Sequence, residues 1–121
     1  MVVDSRWQQH ATDRVFHSLA DATRRDILER TLTAEYSVSA LARHYPASFA
    51  AVQKHVAVLE EAGLVTKRRN GREQLVAGNV DAVRAVARLL DQVAELWQGR
   101  VSRMSQVIAE DQKEHGPDDR H

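Results

Sequence analysis

The 121-residue sequence contains no cysteine. That excludes disulfides, a thiolate metal site and a cysteine nucleophile. It is compatible with a reducing cytosol, and a cytoplasmic location is expected. Aromatic residues are scarce, at 5%, so a core must be assembled mainly from Leu, Val, Ile and Ala. No apolar run approaches the roughly 20 residues that span a bilayer, so no membrane partner is expected. The opening MVVDSRWQQH has no basic segment followed by an apolar one and does not read as a secretory signal. Internal repeats and low-complexity linkers are absent. This length supports one domain with a modest core, expected over residues 1–110, with residues 111–121 as a disordered tail.

An excess of either charge is also missing: 17 basic residues balance 17 acidic ones. The average argues against a nucleic-acid partner, but it hides a pattern. Residues 66–74 carry Lys67, Arg68, Arg69 and Arg72 against Glu73 alone. After Ala109, Glu110, Asp111, Glu114, Asp118 and Asp119 outweigh Lys113 and Arg120. A polyanion responds to the local field, not to the sum.

Apolar periodicity organises what is present. Trp7, Ala11, Val15 and Leu19 recur every four residues and predict a first helix over about 4–19. Asp21 is a good cap for a second helix with Ile27, Leu28, Thr31 and Leu32 on its apolar face. Ser37 caps a short third helix that turns Val38, Leu41 and Ala42 inward, and Pro46 forbids its continuation. Ser48 caps a fourth, with Val52, Val56, Leu59 and Ala62 inward and Gly63 at its C-terminal cap. The period then changes to two short extended runs flanking Asn70-Gly71, the signature of a type I′ hairpin. A long helix follows from about Val80 to Ala109. Its seam of Val83, Val86, Leu90, Val93, Trp97, Val101, Met104 and Ile108 exceeds what so small a core can cover, so a partner helix is expected.

The fold class read from this is mainly α with a small β-hairpin wing: four helices, two strands and a last helix, a winged helix-turn-helix. A helix can enter the major groove of B-DNA, and a basic hairpin can lie on the phosphates beside it. The residues on or near the outward face of the fourth helix are Ser48, Phe49, Gln53, Lys54, His55 and Ala57. Gln53 can pair with adenine, and Lys54 with guanine or a phosphate. Ser48 can cap and also reach a phosphate. Phe49 can contact a thymine methyl or pack on the third helix. His55 reads as groove-facing or phosphate-contacting. The wing supplies Lys67, Arg68, Arg69 and Arg72.

Three segments, LADATRRDILERTL, YSVSALARHY and SFAAVQKHVAVLEEAGLVTKRRNGREQLV, resemble the arsenical-resistance repressor (ArsR) family over about residues 14–108. The resemblance implies a homodimeric repressor that binds a palindromic operator in double-stranded DNA and is released by an inducer. It also implies a dimer interface built by the first and last helices, here Trp7, Val15, Leu90, Val93, Trp97, Val101 and Met104. The usual pattern has serine at Gln53, leucine at Val56 and often lysine at Ala57, so base preference should differ. The metal-sensing branches carry paired cysteines where this chain has Ser37 and Ser39, and serine is a poor ligand for soft metals. The zinc-sensing branch uses Asp and His on the last helix, which here offers Asp91 but no histidine before His115. No metal and no cofactor is expected.

Other readings compete. The winged helix can serve as a protein-interaction module. His10 and His17, seven apart with Asp13 and Asp21 nearby, are either ordinary histidines or half of a metal site completed by a partner chain, which would make a metal-responsive repressor. Trp7 and Trp97 fit an interface core better than a ligand cage. Arg24 and Arg25 can touch DNA or pair with Asp21 or Glu29. No activated nucleophile or glycine-rich phosphate loop accompanies the histidines, so an enzyme is not expected.

Overall fold

The structure is a computed structural model that describes residues 5–115 and the side chains of residues 9–112. Its elements are α1 (Ser5–Leu19), α2 (Ala22–Thr33), β1 (Tyr36–Ser37), α3 (Val38–Ala42), α4 (Phe49–Glu61), β2 (Val65–Asn70), β3 (Glu73–Gly78) and α5 (Val80–His115). The chain divides after Val83 into two compact units.

The first unit holds the core. Ile27, Leu41, Val52, Val56, Leu59, Leu64, Val65 and Val76 are buried, which closes one apolar centre from α2, α3, α4 and the sheet. The helices begin where their caps dictate. Asp21, Ser37 and Ser48 have extended backbones, and their side chains accept from the amides of Arg24, Ala40 and Ala51. At the other end of α4 the Gly63 amide donates to Glu60 O at 2.9 Å and the Leu64 amide to Leu59 O at 3.0 Å. Gly63 has φ +79°, and Leu59 and Leu64 are both buried. This is a Schellman ending with its apolar contact, and it turns the chain straight into β2. Between α3 and α4, Tyr45 Oη donates to Asp26 Oδ2 at 2.6 Å, and Arg30 Nε reaches the same oxygen at 2.8 Å. The inter-helix turn is thereby pinned to α2.

Three expectations are corrected. A third strand exists: Tyr36 and Ser37 pair antiparallel with Val76 and Leu75, so the sheet order is β1-β3-β2 and the wing is not a lone hairpin. Two residues show no alternation of their own, and this strand forms only because β3 offers it an edge. The hairpin turn also shifts by one. Asn70 pairs with Glu73, leaving Gly71 and Arg72 as the central residues. Gly71 has φ +65° and no other residue than a glycine has positive φ among those described, the sign pattern of a type II′ turn, not type I′. Lastly, α5 continues to His115, past the expected end at Ala109, because residues 110–115 contain no glycine or proline to stop it.

In the second unit α5 shows the expected seam without cover. Leu90, Val93, Trp97, Val101 and Met104 are 42–62% exposed. Val15 on α1 is half-buried, while the Trp7 side chain lies outside the described residues. The helix start is fixed by Asn79, whose Oδ1 accepts from the Ala82 amide at 3.2 Å and whose Nδ2 donates to Gly63 O at 3.1 Å. Among the described residues, no helix is long and apolar enough to cross a membrane.

Candidate nucleic-acid interface

The burial of Val52, Val56 and Leu59 decides which face of α4 is free. Ser48, Phe49, Gln53 and Lys54 lie on that face and are exposed. The Ser48 hydroxyl oxygen accepts from the Ala51 amide at 3.1 Å, and its proton remains available to donate. Phe49 stays 47% exposed. The side chains of Gln53 and Lys54 have no hydrogen bond or ion pair among the described residues.

The wing stands beside this face. Because cross-strand partners share a side of a sheet, Lys67 faces the same way as Val76, and Arg69 the same way as Gln74. A concavity of about 280 Å³ results, lined by Val38 and Ser39 of α3, Phe49 and Gln53 of α4, and Arg69, Arg72, Glu73 and Gln74 of the wing. The exposed face of α4 and the basic hairpin meet there. Ser39, Glu73 and Gln74 are additions that sequence reasoning missed. The Arg69–Gln74 pairing would have exposed Gln74, had the turn been set at Gly71-Arg72.

The four wing cations are not equivalent. Lys67 Nζ lies 3.1 Å from Glu60 Oε1 on α4. Arg68 makes a two-pronged bond to Glu35, with Nε at 2.9 Å and Nη2 at 2.7 Å from its two oxygens. That bond holds the Glu35 carboxyl below its ordinary range. These two cations brace the wing against the body. Arg69 and Arg72 are exposed and have no such partner among the described residues.

His55 is turned away from the free face. Its side chain is 23% exposed, and its Nδ1 stands 3.3 Å from Arg24 Nη1 and 3.9 Å from Asp21 Oδ2. Arg24 and Arg25 take structural roles, with other partners than expected. Arg24 donates to the carbonyls of Ser18 at 2.7 Å and His17 at 3.2 Å, and Arg25 to that of Leu19 at 2.7 Å. They satisfy the last carbonyls of α1, where cations also complement the helix dipole. The Arg24 amide in turn holds the Asp21 carboxyl below its ordinary range. Among the described residues, no group of three or more His, Cys, Asp or Glu side chains is placed to hold a metal ion.

The chain is 34% identical over 96 residues to the HTH-type transcriptional regulator Rv2034 of Mycobacterium tuberculosis, covering 79% of this chain and 87% of that protein. It also matches the structure of an ArsR-like transcriptional regulator from Rhodococcus sp. RHA1, with a TM-score of 0.73 at 31% identity, over 83% of this chain and 94% of that one. The chain belongs to the ArsR family. Another ArsR-family candidate, from Mycobacterium bovis, is described as a homodimeric winged helix-turn-helix DNA-binding domain. It aligns at a TM-score of 0.64 and 26% identity over 78% of this chain and 88% of that one. No protein-family model matches the chain. The chain combines the helix pair α3–α4 with a wing, and it does so without any cysteine.

Proposed function

We propose that this ArsR-family chain is a homodimeric, sequence-specific DNA-binding repressor that acts in the cytoplasm on a palindromic operator. The observation that carries the reading is the concavity shared by α4 and the wing, where Phe49 and Gln53 face Arg69 and Arg72. The N-terminal half of α4 enters the major groove. Gln53 reads adenine through its amide, Phe49 meets a thymine methyl, and Lys54 takes guanine or a phosphate. Arg69 and Arg72 neutralise the neighbouring backbone, while Lys67 and Arg68 hold the wing at its angle. Two copies joined through α5 present two reading helices to half-sites about 34–36 Å apart, one helical turn of DNA. Repression follows from occupying the promoter.

The test is selection of bound duplexes from a random pool, followed by titration of the recovered duplex against salt. The reading requires a preferred sequence, and an affinity that falls steeply with salt. Binding that prefers no sequence and is flat in salt would favour the rival, a protein-interaction winged helix, for which the zero net charge speaks.

A further inference from the structure

We infer that Arg24 and His55 form a clamp that sets the rotation of the reading helix, so that both are positioning residues and neither is a DNA contact. The inference rests on the proposed DNA-reading role of α4. What holds α4 from below is apolar: Val52, Val56 and Leu59, all buried. Apolar contacts fix depth but are non-directional. For a helix of about 6 Å outer radius, a roll of about 20° moves a side-chain tip by about 2 Å. That is enough to lose a base-edge hydrogen bond, which tolerates a few tenths of an ångström.

Directional restraints complement them: the Lys67–Glu60 ion pair acts near the C-terminal end of α4, and the Arg24–His55 contact acts at its middle. The guanidinium has only donors, so His55 Nδ1 is the acceptor and the remaining ring proton sits on Nε2. The same guanidinium reaches Ser18 O through Nε and His17 O through Nη2. Three elements are thus joined by one planar fork: the C-terminal turn of α1, the first turn of α2 and the middle of α4. A lysine, with one nitrogen, cannot hold three acceptors in that arrangement. Asp21 completes the surroundings, with Oδ2 3.9 Å from His55 Nδ1 and bonded to the Arg24 amide at 3.0 Å. His55 precedes the buried Val56 and follows the exposed Lys54. It therefore sits at the margin between the two faces, where a bond acts against rolling.

The experiment compares His55→Leu, His55→Gln and Arg24→Lys with the wild-type chain on the duplex recovered by selection and on a random-sequence duplex, across a salt series. Glutamine keeps an acceptor for Arg24; leucine does not. The expected result is a loss of about tenfold on the selected duplex for His55→Leu and Arg24→Lys, with the random duplex and the salt slope unchanged. His55→Gln should recover most of the loss. The clamp is overturned if His55→Gln is as weak as His55→Leu, if His55→Leu leaves the selected duplex unaffected, or if its salt slope drops by about 0.9, the mark of a lost phosphate contact. Amide hydrogen exchange of the DNA-free chain decides independently. Exchange across α4 should rise in His55→Leu and Arg24→Lys and return in His55→Gln, and unchanged exchange in the first two would refute the clamp. If the wild-type chain prefers no duplex, the DNA-reading role falls, while the exchange comparison still judges the clamp.

Discussion

The two units of the chain treat the same kind of residue in opposite ways. In the first, Leu41, Leu59 and Leu64 are at most 1% exposed; in the second, Leu90, Leu96 and Trp97 are 51–74% exposed. The first unit closes its own core from helices that cap and terminate within a few residues of one another. The second is the run of α5 over residues 84–115, about 48 Å long at 1.5 Å per residue, with an apolar stripe and, among the described residues, no second layer of its own. One unit is finished by its own sequence. The other carries an apolar stripe that it does not cover itself, and in the homodimer proposed above a second copy of the same seam is the occupant.

The strongest way to break this contrast is to put a charge on the seam. Trp97→Glu should give monomers in sedimentation, because a carboxylate there cannot be buried unpaired. Operator affinity should fall by about a hundredfold or more as two-site binding is lost. A mutant that remains dimeric would place the interface elsewhere. Next in size, Leu59→Ala should destabilise the chain by about 2–5 kcal/mol at every protein concentration. Leu90→Ala should instead lower stability by an amount that varies with concentration, since it weakens association. Thermal unfolding at two concentrations separates them.

Smaller effects sharpen the division of labour inside the first unit. Gln53→Ala should cost about 1–3 kcal/mol of discrimination at particular base pairs and leave the salt slope alone. Arg69→Gln and Arg72→Gln should each lower that slope by about 0.9 while sparing base preference. Arg68→Gln should lower it less, because its charge is already shared with Glu35. Tyr45→Phe should have the least effect, about 1 kcal/mol of stability, and it should change the pH dependence. The hydrogen bonds from Tyr45 and then Arg30 hold the Asp26 carboxyl below its ordinary 3.8. Its contribution is therefore present above that value and lost as pH falls through the lowered one. Burial, then the bond to Asp26, pushes the Tyr45 hydroxyl up to about 12. Its contribution is full below its ordinary 10 and lost as pH rises through about 12. Acid and alkaline unfolding curves of Tyr45→Phe should both flatten.

Local signals made most of the first unit legible. Asp21, Ser37 and Ser48 announce helix starts because each needs only an amide three residues ahead, and Gly63 announces an end because of its own φ. The stripe on α5 was equally plain, because it repeats. The features that escaped depend on partners far away in sequence. Strand β1 exists through Val76 and Leu75, some 40 residues on. The inward turn of His55 depends on Arg24, and the bracing of Arg68 on Glu35. The turn register escaped for a different, local reason: the pairing of Asn70 with Glu73 puts Gly71 and Arg72 at its centre, against the preference of Asn-Gly. The candidate site was legible as a list of side chains, but the distinction between bracing and free wing cations was not.

In the function proposed above, a self-contained DNA-reading unit is doubled by the seam on α5. Sedimentation equilibrium of the chain mixed with the selected duplex tests it most directly. Two chains per duplex, two inverted half-sites in the selected sequence, and loss of both the stoichiometry and the preference in Trp97→Glu are expected. A single chain bound with full preference to one undivided site would contradict it.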